Sequence, residues 1–388
     1  MRLADDLAPA VRTYLEAHPE VVPPPFHLRL LAAGEYNLNY LATPADGTPA
    51  LAHPADGTRD GSPQPAAVVV RLSTGSQEVA AGAQQVLYEA RALRLLEPSG
   101  VAPRLLHVDT TPVGLPYGLL IEEFLPGRPL DYLDPADLSR AAQTLARLHA
   151  FHPPEADSTL LRIERPLSMY LQFGREMLAP YRTAPDASGE ALRILDAVER
   201  TLSAQAHLED SRFPPSERGV VHTDVQAHNF VVTDVATDTA TGSAGDRAVT
   251  RLVDWEKPML DDPTYDLCHF LAPTTTRWKC GVTLAEPAQE TFMEAYLSAR
   301  EGQLQAPVAQ REPGGARWRD ALSERRRIRQ PYVHWRAITW CTMAWVEYQR
   351  PDRPLRHQDT WERITEYLHP EFLEVLFEPV LSGVSWWE

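Results

Sequence analysis

Lysine is almost missing from this chain: among 388 residues only Lys257 and Lys279 are lysine, although lysine and arginine together number 37. Wherever a cation must hold phosphate, arginine is therefore the expected residue, and its planar fork suits paired oxyanion contacts. Cysteine is scarce as well. Cys268, Cys280 and Cys341 stand apart, which excludes a disulfide framework and the paired spacing of a zinc site, and fits a reducing cytoplasm. No apolar run approaches the roughly 20 residues that a membrane-spanning helix needs. The opening "MRLADDLAPAVRTYLEAHPE" reads as an amphipathic helix with Leu7, Val11 and Leu15 on one side, not as a signal peptide. Positive charge is also in deficit. A formal net charge of −16 argues against a general nucleic-acid binder, despite the local "ERRRIR", so neither nucleic acid nor membrane is an expected partner.

What is present is length enough for two lobes, punctuated by three stretches of loop composition. Residues 43–67, "TPADGTPALAHPADGTRDGSPQP" with its flanks, are too poor in apolar residues to order themselves and read as a disordered surface insertion. Residues 234–250 and 302–317 look similar. Between them, "HLRLLAAGEYNLNYLA", "AAVVVRLS", "PRLLHVDTT" and "YGLLIEEFL" read as strands, and residues 79–97 as a helix. Beyond "PGRP" the pattern turns helical. The expectation is an α+β protein with a strand-rich lobe over residues 1–124 and a helical lobe over 125–388.

One short segment carries most of the chemistry. In "GVVHTDVQAHNFVVTD", His222 is followed two residues on by Asp224, and Asn229 lies five beyond that Asp. This is the spacing of a kinase catalytic loop, in which the Asp faces the attacking hydroxyl and the Asn reaches a magnesium ion. A plain turn, with Asp and Asn bonding their own backbone, is an alternative. A zinc site on His222 and His228 is a weaker one, since no third soft ligand follows at a usual spacing. Downstream, "TRLVDWEKPMLDDPTYDL" delivers Asp254 to the end of an apolar strand, a place suited to a second hard oxygen ligand, and sets Asp266 at the start of an apolar helix.

With "HTDVQAHN", "LVDWE" and "DDPTYDL" in this order, the sequence resembles the aminoglycoside phosphotransferase and choline kinase family over about residues 28–300. The resemblance implies a bilobal protein-kinase-like fold, ATP and magnesium as cofactors, Asp224 as catalytic base, Asn229 and Asp254 on the metal, and His222 with Asp266 bracing the loop. Thr223 stands where glycine is usual. On the first lobe, Gly34 would sit in a turn and Asn37 would offer a side-chain or backbone donor to phosphate. Arg71 takes the place of the phosphate-binding lysine, with Glu89 as its partner. The Glu123 C=O and Leu125 N–H would meet adenine.

The reaction expected is transfer of the ATP γ-phosphate to a hydroxyl of a small molecule. Two alternatives stay open: a pseudokinase that binds without turnover, and a kinase with a protein acceptor, which lacks support because no Ala-Pro-Glu segment is present. The acids Glu362, Glu366, Glu371, Glu374, Asp261 and Asp262 would favour a cationic acceptor such as an amino alcohol or amino sugar. The alternative is that they form a solvated face.

Overall fold

The computed structural model describes residues 2–45, 66–75, 83–154, 157–233, 249–304, 316–351, 353 and 355–383. Most of each loop-like stretch at 43–67, 234–250 and 302–317 lies outside the described residues. Contacts divide the chain into two units, Met1–Arg128 with Val231–Glu256, and Pro129–Phe230 with Lys257–Glu388. The sequence reading cuts the chain once, at 124/125; here residues 231–256 group with the first unit, where Leu252 N–H bonds the Val101 carbonyl and Arg251 bonds Glu123.

In the first unit β1 (Phe26–Ala33), β2 (Asn37–Pro44), β3 (Val68–Ser73), β4 (Leu105–Asp109) and β5 (Leu119–Glu123) form one antiparallel sheet in the order β1-β2-β3-β5-β4. Residues alternate between its faces. Leu38, Tyr40, Val68, Val70, Leu72, Leu119 and Ile121 share one face and are buried. The helix Arg2–Ala17 packs there, its Leu7, Val11 and Leu15 buried and its Ala4 carbonyl accepting from the Tyr40 hydroxyl at 2.6 Å. On the opposite face the same register aligns Asn37, Arg71 and Glu122, three polar groups on a buried surface. Polar groups at such positions need partners, and the helix Ala83–Leu96 supplies one through Glu89 while burying Val86, Ala90 and Leu93.

The second unit is mainly helical. The 33-residue helix Ala316–Tyr348 lays Trp335 and Ile338 into a core shared with the helices Ser168–Arg182 and Gly189–Gln205, with Trp345 packed at its edge. Gly174 permits the closest approach: a Cβ there would stand 1.9 Å from Trp335 Nε1. A three-stranded sheet joins Leu161–Arg162, Met259–Asp261 and Gly219–Val221. Gly219 lets that last strand lie on the end of the helix Pro135–Ala150, since a Cβ would come within 2.8 Å of the His149 carbonyl oxygen. Its next residue but two is His222. Among the described residues no helix is long and apolar enough to cross a membrane.

Candidate active site

In the second unit, the strand Gly219–Val221 ends in a loop clamped by one carboxylate. Asp266, fully buried at the start of the helix Thr264–Leu271, accepts the N–H of His222 at 2.8 Å and that of Thr223 at 2.9 Å. A third donor is the Nε2–H of His149 at 3.2 Å, whose Nδ1 accepts from the Tyr296 hydroxyl at 2.9 Å. Burial alone would raise the pKa of Asp266. The His149 hydrogen bond and the donors of the loop outweigh it and hold the carboxyl below its ordinary range. A charged Asp266 therefore fixes the backbone from below.

Above it the chain turns sharply. Thr223 has φ 72°, a left-handed conformation that a β-branched residue rarely adopts, and its hydroxyl donates to the Lys257 carbonyl at 2.8 Å. Glycine would adopt this conformation without strain, and the hydroxyl bond offsets part of the strain on threonine. The turn raises Asp224, whose side chain is 45% exposed while its neighbours His222 and Val225 are buried. The Asn229 amide donates to the Asp224 carbonyl at 2.8 Å and to its Oδ2 at 3.0 Å. His269 completes the group: its Nδ1–H donates to the Val225 carbonyl at 3.3 Å, and its Nε2 lies 4.0 Å from Asp224 Oδ1.

The first unit carries the other motif. Strand Val249–Leu252 leads to Asp254, which also sits at positive φ, 70°. Trp255 holds the turn, buried, with its indole N–H on the Leu252 carbonyl at 2.7 Å. Arg71 Nη2 contacts Asp254 Oδ1, its Nε lies 3.0 Å from Glu89, and Glu256 is 3.6 Å away. With Glu122 on the same sheet face, four carboxylates surround one guanidinium. Burial, reinforced by this crowding and opposed by Arg71, pushes Glu89 up to about 8 and Glu122 up to about 7. Asp254 presents a hard oxygen donor of the type that magnesium takes; among the described residues no group of three or more His, Cys, Asp or Glu side chains is placed to hold a metal ion.

Other sequence-derived residues fall as follows. Gly34 closes the β1–β2 turn through its N–H on the Asn37 carbonyl at 2.9 Å. Asn37 is buried and its Nδ2 donates to Glu256 at 2.8 Å. Glu123 ends β5 with its carboxylate on Arg251, and Leu125 follows it, buried. The acids offered for a cation are largely engaged: Asp261 by the buried Arg329, Asp262 by Arg325 and Thr264, Glu366 by Arg277 and Arg363. Glu362, Glu371 and Glu374 are exposed. Sequence reasoning missed Glu122, His149, Glu256 and His269. Glu256 was legible two residues after Asp254, and Glu122 by the two-residue period of β5; the two histidines carry no local signal.

The chain matches the phosphotransferase enzyme family over residues 28–309. It belongs to that family. No curated protein matches its sequence. Among solved structures it is similar to an ethanolamine kinase from Plasmodium vivax, 14% identical, with 90% of this chain and 84% of that one covered and a TM-score of 0.59. A choline kinase from Cryptosporidium parvum is 15% identical, with 99% of both chains covered and a TM-score of 0.56. The ADP-bound aminoglycoside phosphotransferase APH(2'')-Ib is 12% identical, with 94% and 98% covered and a TM-score of 0.51. The fold is thus α+β and protein-kinase-like.

Proposed function

We propose that this chain is an ATP-dependent kinase of small molecules, with magnesium as its metal. The acceptor oxygen attacks the γ-phosphorus, the bond to the bridging oxygen of ADP breaks, and the hydroxyl proton passes to Asp224. One observation supports this most: a carboxylate half-exposed on a loop that Asp266 and Asn229 hold rigid, so that orientation costs little at the moment of reaction. Asn229 and Asp254 would hold magnesium, which supplies neutralisation of the phosphate charge. Arg71, braced by Glu89, would position phosphate oxygens, and the Glu123 C=O and Leu125 N–H would meet the adenine edge. Similarity to kinases of ethanolamine and choline supports a small alcohol as acceptor.

The test separates base from metal ligand. Asp224→Asn should leave magnesium-nucleotide affinity nearly intact and lower turnover by about 10²- to 10⁴-fold. Asp254→Ala should weaken nucleotide binding itself. Unchanged affinity of Asp254→Ala for ATP in calorimetry with magnesium would remove that residue from the metal site.

A further inference from the structure

Strand register lays out the polar face of the first-unit sheet in rows. Asn39, Arg71 and Leu120 stand across from one another in β2, β3 and β5, and Leu41, Val69 and Glu122 form the next row, two residues along each strand. The rows lie about 7 Å apart. Leu41 and Val69 are 7% exposed and Glu122 is 6% exposed, whereas Val68, Val70 and Ile121 on the opposite face are sealed at 0%. A narrow opening therefore reaches this row. Its last member is a carboxyl with nothing to hold: among the described residues no hydrogen bond or ion pair reaches Glu122, and Arg71, Asp254 and Glu123 act on it through charge alone. Burial lifts it to about 7, opposed by Arg71 and reinforced by Asp254 and Glu123. A buried acceptor left without a donor is costly, and a ligand that brings an N–H would relieve it.

We infer that Glu122 reads the base of the nucleotide: its carboxyl accepts the amino N–H of adenine that the Glu123 carbonyl leaves free, and it thereby favours ATP over GTP. The inference rests on the kinase reading above and names the nucleotide of that site. Three placements converge on it. Glu122 immediately precedes the carbonyl proposed for the adenine edge; its side chain leaves β5 on the face of Arg71, which would hold the phosphates; and the apolar Leu41 and Val69 in its row suit the flat face of a purine. Guanine carries a carbonyl oxygen where adenine carries the amino group. Against a carboxylate, that oxygen sets acceptor against acceptor and leaves both without a donor.

Calorimetry with magnesium at pH 8, where the carboxyl is mostly charged, tests this on the full chain without any turnover. The probes are ATP, GTP and ITP, the last carrying guanine's carbonyl without its second amino group. ATP should bind tightest to the parent. Glu122→Leu should weaken ATP about 10- to 100-fold, the loss of a hydrogen bond to a charged group, and leave GTP and ITP no weaker. Glu122→Gln, whose amide can both accept and donate, should keep more of the ATP affinity and strengthen ITP, so that the ratio of ATP to ITP affinity again falls about tenfold or more. A merely structural role would lower all three affinities together. Both variants remove a buried carboxyl that has no partner, so each should melt no lower than the parent; if Glu122→Leu does not fold, Glu122→Gln decides alone. A parent that prefers GTP or ITP, or a ratio of ATP to ITP affinity that neither variant moves, overturns the inference. A parent that binds none of the three would instead overturn the kinase reading.

Discussion

Replacing Thr223 separates two opposed contributions at the catalytic turn. Holding a residue with a Cβ at φ 72° costs about 1–2 kcal/mol. The hydroxyl bond to the Lys257 carbonyl returns about 1 kcal/mol. Thr223→Gly removes both the strain and the bond, and glycine's freedom in the unfolded chain costs a further ~0.5–1 kcal/mol, so its net effect should lie within about 1 kcal/mol of zero. Thr223→Ala keeps the strain and loses the same bond, for a loss of about 1 kcal/mol. Glycine should therefore be the more stable of the two by about 1 kcal/mol, the reverse of the usual order. Equilibrium urea unfolding followed by tryptophan fluorescence can read this, because Trp278, Trp318, Trp335, Trp340, Trp345 and Trp361 all belong to the unit that contains Thr223. If Thr223→Ala proves as stable as Thr223→Gly, with the same denaturant dependence, the left-handed turn is not the reason glycine suits this place.

Further outcomes follow from other buried groups. His334 is buried, its Nε2 receives the Gln330 amide at 2.9 Å, and burial lowers its pKa to about 4. The unfolded chain takes up this proton below about 6.5 and the folded chain does not, so stability falls from pH 6.5 to pH 4 by ~3 kcal/mol. His334→Gln should lose that much less over the window; identical acid profiles would refute the assignment. Gly174→Ala drives a methyl into Trp335 and should cost at least ~1–3 kcal/mol, seen as a lowered urea midpoint. Arg71→Met leaves Asp254 and Glu256 without their cation while Glu89 and Glu122, already raised, take up protons, and it should destabilise by about 3–5 kcal/mol, much of it recovered by adding Asp254→Asn. No recovery in the double variant would show that Arg71 stabilises by packing alone.

The α+β plan was legible because strands and helices here obey their periods: the alternation in β2, β3 and β5 separates a core face from a polar one, and Val86, Ala90 and Leu93 mark the buried side of their helix. The loop around Asp224 was legible because its spacing is local. What could not be read is whatever depends on pairing across the chain. His149 meets Asp266 over 117 residues, and Asn37 meets Glu256 over 219. Neither pair leaves a trace in composition or period.

Charge shows the same limit in a form that can be tested. A net charge of −16 is a sum over the surface, but the field at Asp224 is set by its nearest neighbours. Burying a guanidinium requires a carboxylate beside it, and Asp261 and Asp262 meet that need for Arg329 and Arg325. They are therefore not available to an incoming cation. Glu371 and Glu374 are exposed, and water and salt screen such charges within about 8 Å at physiological ionic strength. Removing both in Glu371→Gln/Glu374→Gln should then leave the KM of ethanolamine and that of L-serine, compared as acceptors, within about twofold of the parent, a span below the effect of one lost charged contact. A tenfold rise in the KM of ethanolamine in that double variant, with L-serine unmoved, would show that the final helices steer a cation after all and would return the acid excess to the recognition site.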